Sequence, residues 1–222
     1  GDNLKAALRF QIMVENEPDA RSFDLIPLDW GIKDTLSPAR NAAQNWLTDS
    51  DEVKQLIGAS ILLTAPDYQA QAEATLRSLA TSPQINIQQL ARTQLWRLRL
   101  RAGDISLLEL QRWERNLNQV PELLRAGPHF LLGTGYAMLE RHGQAAASFL
   151  WIPLAENSNP QLSAEASLKA ADSILAMGQT VNALRLYQET AARYSKSPAR
   201  QMALQMIDQI TKASSQPTTQ DN

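Results

Sequence analysis

Along most of the chain, apolar residues recur at three- and four-residue spacing inside segments rich in Ala, Leu, Gln, Arg and Glu. Gly and Pro interrupt those segments, so the pattern predicts one helix after another. Val, Ile and Thr alternate at period two nowhere, and no sheet is predicted. The stretch 85–102 reads as a single helix with a core stripe of Ala91, Leu95, Leu98 and Ala102. The interruptions themselves repeat: Ala65-Pro66 precedes Pro83, Gly103 precedes Pro121, Gly143 precedes Pro160, and Gly178 precedes Pro198. Each pair encloses one helix and its exit turn, and the starting points lie about 35 to 40 residues apart, the period of helical-hairpin repeats.

The last of these units shows why its residues stand in their order. Gly178 supplies a permissive backbone that ends one helix just after Leu175. In the next helix Ala183, Tyr187 and Ala191 lie at i, i+4 and i+8, so two small residues admit a paired helix while the aromatic fills the space between hairpins. Pro198 follows at the start of another helix, where a missing N–H costs little. On Gly178, Ala183, Tyr187, Arg193-Tyr194 and Pro198 the unit resembles a tetratricopeptide repeat, in the variant with a Tyr-containing exit turn found in bacterial envelope proteins. The same resemblance recurs at Leu132, Tyr136, Gly143, Phe149 and Pro160, with Ala147 and Ser148 straddling the small-residue position. It covers about the last hundred residues, and the Trp and Leu-Gly of the family pattern are missing from the last unit, so the repeats are degenerate.

Upstream, Val53, Ile57 and Ile61 match Ile87, Ala91 and Leu95 at one constant offset, each set following a polar cap. These two segments are similar to the second helices of HEAT-like repeats. Residues 1–34 read differently: 4–14 suits a helix, after which Pro18, Pro27 and Gly31 stand among Phe23, Leu25, Ile26, Leu28 and Trp30. The expectation there is an extended strap whose aromatics cap the first hairpin, since a terminal repeat needs its apolar face covered. Residues 213–222 have no apolar side chain after Ala213 and read as a disordered tail or linker. The first residues, Gly1-Asp2-Asn3, lack an initiator methionine and read as a trimmed start.

Composition narrows the function classes. Of 222 residues 44% are hydrophobic, which excludes disorder for most of the chain. Lys plus Arg number 21 against 23 Asp plus Glu, and a net charge of −2 gives no global field for nucleic acid or an anionic membrane. No apolar run approaches the roughly eighteen residues of a membrane span. With zero cysteines, disulfides, thiolate metal sites and cysteine nucleophiles are excluded.

Candidate chemistry is sparse. His129 and His142 do not share a helical face, and no metal site is expected. His142, in "LERHG", reads as a cation near the end of a helix stopped by Gly143. The "GTG" at 133–135 has no phosphate-binding sequel and reads as close helix packing. Acids in "GDNL", "TDSDE" and "AGD" read as N-caps rather than calcium ligands. No Ser, His and Asp constellation suggests acyl transfer. The strongest local bias is "ARTQLWRLRLRAGD" followed by "LQRWERN", where Arg92, Arg97, Arg99, Arg101, Arg112 and Arg115 gather beside Trp96 and Trp113. Arg and Trp anchor interfaces, and Arg92, Trp96 and Arg99 share one side of the wheel while Arg97 and Arg101 point elsewhere. Pairing with Asp104, Glu109 and Glu114, with both tryptophans packed between hairpins, is the structural alternative. On α-helical spacing Arg125, His129, Leu132 and Tyr136 form a second stripe.

The expected fold is all-α, a right-handed α-solenoid of roughly five helical hairpins, HEAT-like over its first half and TPR-like over its second, spanning residues 35–212. The expected function is a non-catalytic scaffold or adaptor whose partner-binding residues are Arg92, Trp96, Arg99, His129 and Tyr136, and whose partner is a protein or peptide. No cofactor, nucleic acid or membrane span is expected. The resemblance implies a periplasmic or envelope setting. An accessory superhelical domain of a larger cell-wall-acting enzyme, or a self-associating structural protein, remain the alternatives.

Overall fold

The computed structural model describes residues 23, 25–34, 39–155 and 159–215; the helix expected over 4–14 and most of the tail expected over 213–222 lie outside them, while residues 213–215 are the end of the last helix rather than tail. Among the described residues there are eleven α-helices and no strand. They are α1 Arg40–Trp46, α2 Glu52–Leu62, α3 Gln69–Leu79, α4 Ile85–Gln94, α5 Trp96–Ala102, α6 Leu107–Asn116, α7 Ala126–Met138, α8 His142–Leu154, α9 Pro160–Ala176, α10 Thr180–Arg193 and α11 Pro198–Ser215. Two short 3-10 turns, Leu117–Gln119 and Glu122–Leu124, join α6 to α7. The chain forms two compact units, residues 1–135 and 136–222.

In the first unit each helix packs on its neighbour from α1 through α5, and α2 also touches α4. The crossing of α1 and α2 is close because residue 58 is glycine: a Cβ there would stand 2.7 Å from the Ala43 carbonyl oxygen. Asp51 caps α2 by accepting from the Val53 N–H at 2.8 Å. The matched positions of α2 and α4 share their burial, Val53 with Ile87 and Ile57 with Ala91 all lying in the core. "GTG" does mark close packing, since a Cβ on Gly135 would press into Leu110 of α6 and Leu100 of α5.

The expected helix over 85–102 is interrupted at Leu95, and its core stripe is corrected. Ala91 is buried, but Leu95 and Leu98 are only half-buried and Ala102 is exposed. The buried side instead carries Leu90, Thr93, Gln94, Trp96, Arg97 and Leu100. Hydrophobic periodicity points to the wrong face because polar side chains, Thr93, Gln94 and Arg97 among them, belong inside.

In the second unit α8 packs on α9, α9 on α10, α10 on α11, and α9 also touches α11. Ala183, Tyr187 and Ala191 are buried together with Ala164, Leu168, Ala171, Ala199 and Ala203, as the small-large-small order requires. The Tyr187 hydroxyl donates to Asp172 Oδ1 at 2.6 Å. Burial, reinforced by that carboxylate, pushes the Tyr187 hydroxyl well above its ordinary value.

Recurrence in this unit is more regular than its sequence, with one register corrected. Gly178 is left-handed at φ 77°, its own N–H bonds the Leu175 carbonyl, and the Gln179 N–H reaches back to Ile174. The counterpart of Gly178 is Glu140 at φ 56°, followed by Arg141, whose N–H reaches back to Tyr136. Arg141 and Gln179 have the same backbone angles, φ −86° and ψ 61°. Ala145 then matches Ala183, and Phe149 matches Tyr187, all four buried. Gly143 therefore lies in the first turn of α8, and His142 opens that helix rather than standing near the end of one. A charged residue occupies the turn, so glycine spacing misplaces it.

A left-handed glutamate costs about 1 kcal/mol relative to glycine. Glu140→Gly is accordingly expected to stabilise the second unit by about that amount, and Gly178→Ala to destabilise it by about as much. Urea midpoints of the two variants against the parent read both effects.

Candidate functional site

The arginine and tryptophan region occupies α4 to α6. Gly103, left-handed at φ 71°, ends α5, and Ser106 starts α6 by accepting from the Glu109 N–H at 3.2 Å. Of the acids expected to cap, Asp51 does so, whereas α6 is capped by Ser106 rather than Asp104. Along α6, Leu110 and Trp113 turn inward and Leu117 follows them, while Leu108, Arg112 and Asn116 form an outward i, i+4, i+8 row. Trp113 stacks on Trp96 with ring centres 4.6 Å apart and planes within 3°. That stack joins α5 to α6.

Arg99 spans the turn between the two helices. It pairs with Asp104 at 3.2 Å and with Glu109 at 3.1 Å, and those carboxylates raise its already high pKa. Beside it lies an open groove of about 460 Å³, lined by Arg99, Ser106, Leu108, Glu109, Arg112, Trp113 and Asn116. Leu108 is 55% exposed there. Among the described residues Arg112 has no ion-pair partner, so the groove, whose lining is mostly polar, offers one uncommitted cation beside the exposed Leu108.

The five residues expected to bind a partner do not all line this groove. Arg99 lines the groove, and Trp96 supports it from beneath through Trp113. Arg92 is exposed on α4 and donates from Nε to the Ala80 carbonyl at 3.1 Å. His129 is half-buried on α7 in the first unit, and Tyr136 is buried in the second. Neither His129 nor Tyr136 lines the groove. Among the described residues no group of three His, Asp or Glu side chains is placed to hold a metal ion. No helix among them is long and apolar enough to cross a membrane.

Burial, with a smaller contribution from Arg125, lowers the His129 pKa from 6.5 to about 4. The unfolded chain therefore takes the proton more readily than the native one. Stability held by neutral His129 is complete above pH 6.5 and is lost as pH falls toward 4. The expected loss by pH 4.5 is about 2 to 3 kcal/mol, absent from His129→Leu. Paired urea titrations at pH 7 and pH 4.5 measure it.

A second polar centre, missed by periodicity, lies on the other side of α5. Arg97 is completely buried, and four of its donor contacts are met. Nε donates to the Gly31 carbonyl at 2.6 Å, and one terminal nitrogen donates at 2.7 Å to both the Ser60 carbonyl and Gln94 Oε1. The other terminal nitrogen pairs with Asp29 Oδ2 at 2.8 Å. Burial pulls the Arg97 pKa down, Asp29 opposes that, and Arg101 adds to it. Arg101 itself donates to the Thr64 carbonyl. Among residues 25–34 there is no regular helix, and Trp30 lies against Gly127 on α7, where any Cβ would overlap the indole.

The one available sequence signal for this centre is positional. Ser60 and Gln94 fall at the offset that relates Val53 to Ile87, and Arg97 falls where α2 is followed by buried Leu63. Polar residues at matched core positions call for a polar occupant.

The chain matches no protein-family model, no curated protein and no solved structure.

Proposed function

We propose that this protein is a non-catalytic interaction module that captures an acidic, partly apolar segment of a partner protein in the groove between α5 and α6. In this reading each unit is a run of right-handed α-solenoid, HEAT-like in the first unit and TPR-like in the second. Neighbour packing from α1 to α5 and from α8 to α11 supports it, as do the next-but-one contacts of α2 with α4 and α9 with α11.

The observation that carries the proposal is the composition of the groove. Arg112 stands beside exposed Leu108 in an otherwise mostly polar lining, and an arginine with no ion-pair partner among the described residues next to one exposed leucine suits a carboxylate followed by an aliphatic or aromatic side chain. Arg99 is already paired with Asp104 and Glu109, which leaves Arg112 as the cation facing an incoming carboxylate.

Leu108→Glu with Arg112→Glu changes two exposed side chains, so helicity and melting are expected to be retained within about 0.5 kcal/mol. Proteins retained from native lysate by the parent should be lost by this double variant. Identical retained sets would remove the groove as the site of capture.

A further inference from the structure

The first unit holds residues 29–31 as a binding protein holds a peptide. Both main-chain groups of Asp29 are engaged: its N–H donates to Ser60 Oγ at 2.8 Å, and its carbonyl accepts from the Ser60 hydroxyl at 3.2 Å and Gln94 Nε2 at 3.1 Å. Its carboxylate is paired with Arg97, and Arg97 Nε reaches the Gly31 carbonyl two residues on. Between these anchors the Trp30 ring fills a position on α7 that only a glycine leaves open. Main-chain bonds at fixed register, one charge and one aromatic seat are the elements by which extended segments are recognised.

The receiving side chains come from α2, α4 and α5. Ser60 on α2 and Gln94 on α4 are equivalent by position and by burial, and both address Asp29. Arg97 replaces the leucine of the preceding helix pair at its matched position. Closing a core with apolar side chains would be at least as stabilising as a buried ion pair, so stability alone does not call for arginine here. Recognition of a carboxylate does. The segment combines these polar contacts with partial burial: Leu25, Pro27, Leu28, Asp29 and Trp30 all remain partly exposed, with Phe23 and Ile26 as the buried anchors.

We infer that Ser60, Gln94, Arg97 and Gly127 form a recognition site for an extended peptide bearing an acidic residue followed by an aromatic and a glycine, filled in this chain by its own residues 29–31. A partner segment of that chemistry binds by displacing the internal copy. This site is distinct from the α5–α6 groove, since Arg97 is buried and Arg99 exposed on the same helix.

The test uses the full chain and a fluorescent peptide with the sequence of residues 23–34, FDLIPLDWGIKD. Asp29→Ala with Trp30→Ala weakens the internal copy, and polarisation should show the peptide binding this variant at least about ten-fold more tightly than the parent. Replacing the Asp before Trp in the peptide should abolish binding. A peptide that binds neither protein, or that binds equally well without that carboxylate, overturns the inference. Should the variant unfold, hydrogen exchange of the unaltered protein decides. The Asp29 amide, which donates to Ser60, is expected to exchange through local opening at least about ten-fold faster than amides central to α2 and α4. Exchange of this amide only together with those helices would show that the segment never leaves its site.

Discussion

Arg97→Met is expected to destabilise the first unit by about 3 to 5 kcal/mol, although methionine nearly matches the length of the lost stem. The cost arises from what is left behind. Asp29 loses its pair, and the Gly31 and Ser60 carbonyls and Gln94 Oε1 lose a donor in surroundings where each unmet group costs about 1 to 3 kcal/mol. Arg97→Lys should recover only a minor part, because an ammonium cannot reach all four acceptors from one planar fork. Urea denaturation gives the magnitude, and faster exchange at the Asp29 amide locates it. A loss below about 1 kcal/mol would mean that water replaces the arginine in full.

Trp96→Ala is expected to cost about 3 to 5 kcal/mol as well, through the cavity left by a buried indole and the lost stack with Trp113. Such a change unfolds a marginal unit before it reveals anything about binding. Helical circular dichroism at rising temperature should therefore show an early transition, and partner capture should fall only in proportion to the unfolded fraction. Tyr136→Ala belongs to the same class, since that ring is 2% exposed. Retention of the parental melting curve by Trp96→Ala would restore the indole to the list of groove residues.

How much of this is legible from sequence depends on which force decides each element. The all-α character is carried by apolar spacing and by the lack of alternation, and both survive in the structure because burial of one helical face is the dominant local requirement. The Ala183, Tyr187, Ala191 order is legible for the same reason. Register fails where an atypical residue performs the turn, as Glu140 does in place of glycine. Periodicity also fails at α4 and α5, where Gln94 and Arg97 are interior because residues 29–31 reach across to meet them. A contact between positions so distant in sequence has no local signature. At the candidate site, the clustering of Arg and Trp falls on the helices that line the groove. Which side chains face outward does not follow from the cluster, because Trp96 and Trp113 are consumed in their own stack while Leu108 and Arg112 are left to form the exposed row.

The most direct measurement is the affinity of the 222-residue chain for a pool of fluorescent peptides in which an acidic residue adjoins Leu or Phe, set against the same peptides with each acid replaced by its amide. Binding that needs the carboxylate, weakens as salt is raised and is lost in Arg112→Glu without a change in melting is the predicted result. Equal binding of acidic and amide peptides, or binding untouched by Arg112→Glu, would contradict a carboxylate-reading groove between α5 and α6.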